Sequence, residues 1–261
     1  METVWITGAS SGIGEACAYR WAQGGARLVL TAPTAAELEP VAAKCREIGA
    51  PDVAILPYDL SVPEGIPALV QSAWDAFGGL GTTYLNAGIS QRSSVEDTSM
   101  EMVRLLMEID YFAPAAIAKE LLPRMVARGG GHIGVTTSIA GKFWFPLRCG
   151  YCSAKAALYG FFESLQAESY DKGIRVTLVC PGRVRTNISL RALDKGGKPH
   201  GKMDPGQAGG ITTEKAAKII VKAVRKGRRE VLVGSKELIM VYIKRFFPGL
   251  CARLARVIKP M

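Results

Sequence analysis

The sequence predicts an α/β protein: a doubly wound parallel sheet covered by helices on both faces, three α/β/α layers in a single domain. Three observations lead there. Short β-favouring runs alternate with longer segments of helical periodicity along the chain, the order that builds right-handed βαβ units around a parallel sheet. The runs are nearly all apolar, as strands buried on both faces are. The first of them ends in a glycine-rich turn, TGASSGIG at 7–14, that opens a helical pattern.

The elements follow in order. VWIT (4–7) is the first strand and GIGEACAYRWAQGG (12–25) its helix. RLVLTA (27–32) precedes the helix AAELEPVAAKCREIG (35–49). DVAILPYD (52–59) precedes a helix near 64–77, and TTYLN (82–86) is the fourth strand. A long helical pattern covers about 99–127. HIGVTTS (132–138) leads to a helix at about 150–170, and IRVTLVCPG (174–182) follows. A helix near 212–226 leads to EVLVG (230–234). The longest irregular stretch, 185–211, is rich in Gly and polar residues and reads as a lid over a binding site, the usual meaning of so long a loop in a compact domain. The main domain is therefore expected over 1–234, with 235–261 as a separate extension.

Composition narrows the class. A 48% hydrophobic chain of 261 residues is neither disordered nor fibrous and can bury a large core. The six cysteines are scattered through mostly apolar runs, which implies a reducing compartment rather than a disulfide framework. Two histidines, with no His/Cys cluster, give no basis for a metal site. No run approaches about 18 consecutive apolar residues, and Met1-Glu2 leads directly into a strand rather than a targeting signal. These features lead to the expectation of a cytoplasmic protein.

The net charge of +10 is uneven: residues 215–261 hold 13 Lys/Arg against two acids, and the remainder is close to neutral. After Gly234, Ile239, Ile243, Phe246, Leu250, Leu254 and Val257 recur every three or four residues. Lys244, Arg245, Arg253, Arg256 and Lys259 lie largely outside that stripe, and Pro248-Gly249 divides it into two short helices. Such a basic amphipathic surface fits two settings, an anionic membrane interface met by 236–261 or packing against the main domain or another subunit. No recognition motif accompanies the charge, so nucleic acid is not an expected partner.

Gly8, Gly12 and Gly14 sit at the first strand–helix junction. Glycines there permit a tight turn and close backbone approach to a pyrophosphate, while the helix N-terminus offers free N–H groups and a positive dipole end. A ribose 2′-OH is ordinarily held by an acid at the end of strand two. Here that strand ends Leu30-Thr31-Ala32-Pro33-Thr34, and the missing acid favours NADP(H) over NAD(H), although no Arg or Lys stands there either.

At 149–155 the chain reads CGYCSAK, overlapping a Cys-x-x-Cys pair with Tyr151-x-x-x-Lys155. Together with TGASSGIG, Asp59-Leu60, Asn86-Ala87-Gly88, Ser138 thirteen residues before Tyr151, and Pro181-Gly182 followed by Thr186, this run resembles the short-chain dehydrogenase/reductase family across almost the whole chain. The resemblance implies a Rossmann-like domain and hydride transfer between a nicotinamide and an alcohol or ketone. It assigns Gly8, Ser10, Ser11, Gly12, Ile13 and Gly14 to the phosphates and adjoining ribose, with Thr34 also on the nucleotide. It places Asp59 and Leu60 at the adenine, Asn86, Ala87 and Gly88 at the riboses, and Pro181, Gly182, Val184 and Thr186 at the nicotinamide. GKFWFPLRCGYCSAK resembles members acting on lipophilic alcohols and ketones, including steroid and retinoid dehydrogenases. A homodimer or tetramer is also implied, with the helix near 153–169 apolar on more than one side.

Of the two overlapping pairs, Tyr151 and Lys155 carry the chemistry. A free phenol titrates near about 10, poorly matched to neutral pH. Lys155, one turn on, shares its helix face, and a cation there favours the phenolate. Ser138 is placed to hold the substrate oxygen. Cys149 and Cys152 become neighbours of the site, with a sensitivity to oxidation if Lys155 and the helix N-terminus lower a thiol pKa. Phe143, Trp144, Phe145, Ile188, Leu190 and Leu193 are expected to wall the substrate region. One residue departs from the family: Asp110 stands in EIDYFAPAAIAKELLP where members usually carry an Asn that distorts its helix and relays protons to the lysine. Its charge would hold Lys155 as a cation and oppose phenolate formation. That leaves an alternative of another class, a nucleotide-binding sensor or scaffold with weakened turnover.

Overall fold

A computed structural model of the chain describes residues 1–257. In chain order its elements are β1 (Thr3–Thr7), α1 (Gly12–Ala22), β2 (Arg27–Thr31), α2 (Ala35–Glu47), β3 (Val53–Ile55), α3 (Ile66–Asp75), β4 (Thr82–Leu85), β5 (Gln91–Arg92), α4 (Met100–Met107), α5 (Ala113–Ala127), β6 (Gly131–Thr136), α6 (Cys149–Ser169), β7 (Ile174–Pro181), β8 (Leu193–Asp194), α7 (Pro205–Ala208), α8 (Thr213–Arg225), β9 (Glu230–Val233), α9 (Ile239–Phe246) and α10 (Pro248–Val257). Seven strands form one parallel sheet in the order β3-β2-β1-β4-β6-β7-β9.

Alternate residues of a strand point to opposite faces, and here both faces are apolar. Val4, Ile6, Leu28 and Leu30 pack with Trp21, Leu38 and Val224 on one side. Trp5, Val29, Ile133 and Val135 pack with Ile117, Leu121 and Phe162 on the other. This double coverage is why the strands read as unbroken apolar runs. The chain winds outward from β1 to β3, then returns past β1 to β4 and on to β9. The reversal between β1 and β4 opens a crevice at the strands' carboxyl ends, where ligands of such sheets bind.

Three elements differ from the sequence expectations. The third strand is ordered as a ladder only over Val53–Ile55, and Pro57, on this edge strand, turns its missing N–H away from β2. Leu56 and Tyr58 still donate to Leu30 O (2.8 Å) and Ala32 O (2.9 Å) and hold the segment beside β2. The long helix of 99–127 is interrupted by a π-helical turn at Glu108–Phe112. The stretch 185–211 is not wholly irregular: β8 pairs with β5, and α7 forms one turn starting at Pro205.

The tail divides at Pro248, which takes the first position of α10, where a missing N–H costs nothing. Its apolar stripe faces two ways. Met240, Val241 and Ile243 pack with Cys251 over Ile139, Phe143 and Cys180. Ile239, Phe246 and Leu250 face outward with Tyr242 and Phe247, and Phe246 is 69% exposed. Lys259 lies outside the described residues.

Candidate active site

The first βα turn is shaped by contacts a side chain would break. Gly8 has φ +64°, and a Cβ there would lie 2.7 Å from Ala87 Cα. A Cβ on Gly14 would clash with Gly8 O, and the same carbonyl accepts from Asn86 Nδ2 at 3.3 Å. The turn is thereby pressed against the end of β4. Ser11 precedes α1 without a side-chain cap, so the first amides of that helix stay available to an anion.

Two lobes meet in the crevice. One, of about 280 Å³, is lined by Gly8, Ser10, Ser11 and Gly12, by Asp59 and Leu60, and by Asn86, Ala87 and Gly88, with Lys155 at its inner end. The other, of about 210 Å³, is lined by Ser138, Phe143, Phe145 and Ile188, and by Pro181, Gly182 and Val184. Ile13, Ser90, Thr136, Tyr151, Thr186 and Ile188 line both. Gly14 lies beneath the turn rather than on the wall.

Four sequence candidates stand elsewhere. Thr34 turns its hydroxyl to cap α2, accepting from Glu37 N at 3.4 Å. Trp144 points outward, with Lys244 Nζ 3.4 Å from its ring centroid. Leu193 is held in the β5–β8 ladder and packs beside Met102 and Leu106. Leu190 does not reach the lobe either; its carbonyl accepts from Gly201 N at 2.9 Å within the loop.

Tyr151 and Lys155 lie one turn apart on α6, both buried. Lys155 Nζ donates to Thr136 O at 3.1 Å and stands 5.8 Å from the Tyr151 ring centroid. Ser138 leads a short turn after β6, its Oγ accepting from Ala140 N at 3.1 Å. Burial pushes the Tyr151 phenol above its ordinary pKa; Lys155, a hydrogen bond from Ser138 and Arg148 pull it down, while Asp110 pushes it further up. The lysine lowers the phenol as expected, but desolvation outweighs it.

Asp110 is fully buried in the π turn, a feature frequent at functional sites. Its Oδ1 accepts from Ile89 N at 2.8 Å, tying the turn to the segment after β4. Its Oδ2 lies 3.4 Å from Lys155 Nζ, an ion-pair distance without hydrogen-bond alignment. Burial raises the Asp110 carboxyl above the usual carboxylate range, against the pull of Lys155.

All six cysteines are free thiols. Burial raises the Cys152 thiol despite nearby Arg148, so this half of the dithiol is less nucleophilic than a free cysteine at neutral pH.

Several groups at the site escaped the sequence reading. Arg191 of the 185–211 stretch reaches Ser11 Oγ (3.5 Å), and Glu37 also lines the nucleotide lobe. Buried Arg92 and Asp204 meet half-buried Arg148 on the other lobe. Arg148 lay in plain sight three residues before Tyr151; nothing in the spacing joins it to Arg92 or Asp204.

This architecture, a doubly wound parallel sheet with a glycine-lined crevice and a Tyr–Lys pair, is that of a nucleotide-dependent oxidoreductase. A family model described as short chain dehydrogenase matches residues 2–195. A Bos taurus protein named dehydrogenase/reductase SDR family member 7B is 36% identical over 257 residues, covering 96% of this chain and 79% of that protein. The structure of an alcohol dehydrogenase from the archaeon Thermococcus sibiricus, complexed with 5-hydroxy-NADP, is similar with TM-score 0.77 at 28% identity, covering 90% of this chain and 97% of that one. A Burkholderia phymatum short-chain dehydrogenase/reductase in complex with NAD shares the fold with TM-score 0.84 at 23% identity, over 95% and 94% of the two chains. The chain belongs to the short-chain dehydrogenase/reductase family and is an NAD(P)-dependent oxidoreductase.

Proposed function

We propose that the protein transfers a hydride between NADP(H) and a lipophilic alcohol or ketone, with Tyr151 as general acid and base. The observation that carries this reading is that Tyr151 lines both lobes, with Lys155 on one side of it and Ser138 on the other. The nicotinamide, when bound, supplies or accepts the hydride. In reduction, Ser138 orients the substrate oxygen and Tyr151 gives its phenolic proton to that oxygen as negative charge develops. Lys155, held by Thr136 O, offsets the phenolate left behind. Phe143, Phe145 and Ile188 supply an apolar wall suited to a lipophilic substrate, and the 185–211 segment acts as the lid over it.

Preference for NADP(H) is supported by the acid-free end of β2 and by Arg191, a cation at the edge of the nucleotide lobe. Glu37 opposes a 2′-phosphate there, so the preference is modest. The outward aromatics Tyr242, Phe246 and Phe247 beside Lys244 and Arg245 support contact with an anionic membrane surface. Half-exposed Phe112 and its neighbour Tyr111, which meets Phe161 of α6 edge to face, support a subunit interface in a homodimer or tetramer.

The test is NADPH oxidation over a panel of lipophilic ketones. Turnover supports the reading. Tight NADPH binding with no turnover of any ketone favours a second reading, a nucleotide-binding sensor or scaffold, for which the Asp110–Lys155 contact is the specific observation.

A further inference from the structure

The lobe beside Tyr151 is apolar along one wall, and its lining also holds three arginines, Arg92, Arg148 and Arg183, against two acids, Asp204 and Glu237. Arg92 and Asp204 are buried, and their side chains meet through Nη2 and Oδ2 at 2.5 Å and through Nε and Oδ1 at 3.4 Å. The remaining Arg92 nitrogen, Nη1, donates to Ser90 Oγ (3.0 Å) and Gln91 O (2.6 Å). Four of the five N–H donors of Arg92 are thereby used, and it alone engages both oxygens of the carboxylate.

Arg148 is placed differently. It reaches Asp204 Oδ2 through Nη2 at 2.9 Å, and its buried Nε has no hydrogen-bond partner. The guanidinium lies over the Phe145 ring, 5.2 Å from its centroid. The residue before it, Leu147, takes φ +63°, a conformation unusual for a side chain of that kind. This turn brings Arg148 to the cavity three residues ahead of Tyr151.

The charges do not cancel. Two cations share one carboxylate already occupied by Arg92. Glu237, also on the lining, accepts at Oε1 from the backbone amides of Arg183 (2.7 Å) and Ser235 (3.0 Å), and with Asp204 it leaves the three arginines of the lobe one positive charge in excess. Burial and the neighbouring Arg92 both work against a second positive charge, and Arg148 is held below its ordinary pKa for those reasons. Tethering α7 to the body needs one arginine, and Arg92 supplies it.

We propose that Arg148 receives an anionic group, a carboxylate or a phosphate monoester, carried by the lipophilic ketone, with Arg92 and Asp204 as positioning residues that hold its guanidinium. The planar fork of donors on arginine matches either anion, and Phe143, Phe145 and Ile188 remain for the chain. This inference rests on the reading that the lobe presents a ketone to Tyr151.

The experiment compares three ketones of one medium-chain skeleton: the keto acid, its methyl ester, and the keto alkyl phosphate. A charge-assisted contact in a partly desolvated site predicts that the wild-type enzyme favours an anionic ketone over the ester by about tenfold or more in kcat/KM. The larger of the two anionic values identifies the group. In Arg148→Gln that ratio falls towards one through KM, and Arg148→Lys restores part of it. A wild-type enzyme that reduces the ester as well as both anions overturns the inference while leaving the proposed reaction standing. If no ketone is reduced, the proposed reaction fails, and binding decides the inference separately. With NADP⁺ present, dodecanoate or dodecyl phosphate then quenches tryptophan fluorescence more tightly than dodecanol in the wild type and not in Arg148→Gln. Equal binding of all three probes contradicts it. Melting temperature and NADPH binding of each variant report folding, and the wild-type comparisons stand if a variant does not fold.

Discussion

Asp110 Oδ2 lies 3.4 Å from Lys155 Nζ, carboxylate and ammonium both shut away from water one residue contact from the Tyr151 ring. The pair sets the electrostatics of the proposed general acid and base. Lys155 favours the phenolate, and Asp110 opposes it.

Asp110→Asn keeps an acceptor for Ile89 N and removes the charge. Tyr151 must be ionised to take a proton in alcohol oxidation, so a group that raises its pKa moves the rising limb of the pH–rate profile upward. Removing that group moves the limb to lower pH. The variant is expected to oxidise alcohols faster than wild type at neutral pH, with an advantage that shrinks as pH rises. Steady-state rates across the pH range check this; a superimposable profile means the Asp110 charge does not reach the phenol.

Arg191→Ala is expected to weaken NADPH binding by roughly three- to tenfold while NADH binding changes little, since an exposed cation facing a phosphate contributes modestly. Glu37→Gln is expected to act oppositely, strengthening NADPH. Fluorescence titration with both nucleotides measures the two effects, and equal losses for NADPH and NADH in Arg191→Ala would show that the residue does not read the 2′ position.

Cys149→Ser with Cys152→Ser is expected to retain most activity in reductant, within about twofold of wild type. Burial disfavours the Cys152 thiolate, and Cys149 Sγ accepts from Gln91 Nε2 (3.5 Å) and donates to Thr98 Oγ1 (3.8 Å), bonds that a serine hydroxyl can keep. A loss of turnover beyond about tenfold in the double variant, with nucleotide binding intact, would return the dithiol to the mechanism.

The tail prediction separates its two settings. An interfacial surface sediments with anionic liposomes and less with neutral ones, and part of the binding falls with salt, which screens exposed charges over about 8–10 Å. Phe246→Ser with Phe247→Ser removes the salt-resistant part; Lys244→Gln with Arg245→Gln removes the rest. Tight packing on a second subunit instead predicts that the Phe variants change sedimentation velocity, with no liposome binding to lose.

Where a property depends on neighbours in sequence, it was readable before the structure. The parallel strands announced themselves because Val4, Trp5 and Ile6 are all apolar, and Tyr151 meets Lys155 because four residues make about one helical turn. The π turn was visible only as Asp110 in place of an expected Asn. What depends on tertiary closure was not readable. Asp204 bonds Arg92 across 112 residues and Arg148 across 56, and no local pattern marks such pairs. Apolar character likewise did not decide the cavity wall. Phe143 and Phe145 line it, whereas Trp144 between them faces outward and Leu193 is spent on a strand. Thr34 satisfied the helix end before any ligand.

The most direct test of the account is Tyr151→Phe assayed for NADPH oxidation with a reducible lipophilic ketone, alongside NADPH binding by fluorescence. Phenylalanine keeps the ring that packs beside Ala140 and Met102 and deletes the transferable proton. The account predicts binding within about threefold of wild type and a turnover lower by roughly 10²–10⁴-fold, the span supplied by a positioned acid or base. Near-wild-type turnover in that variant would contradict it.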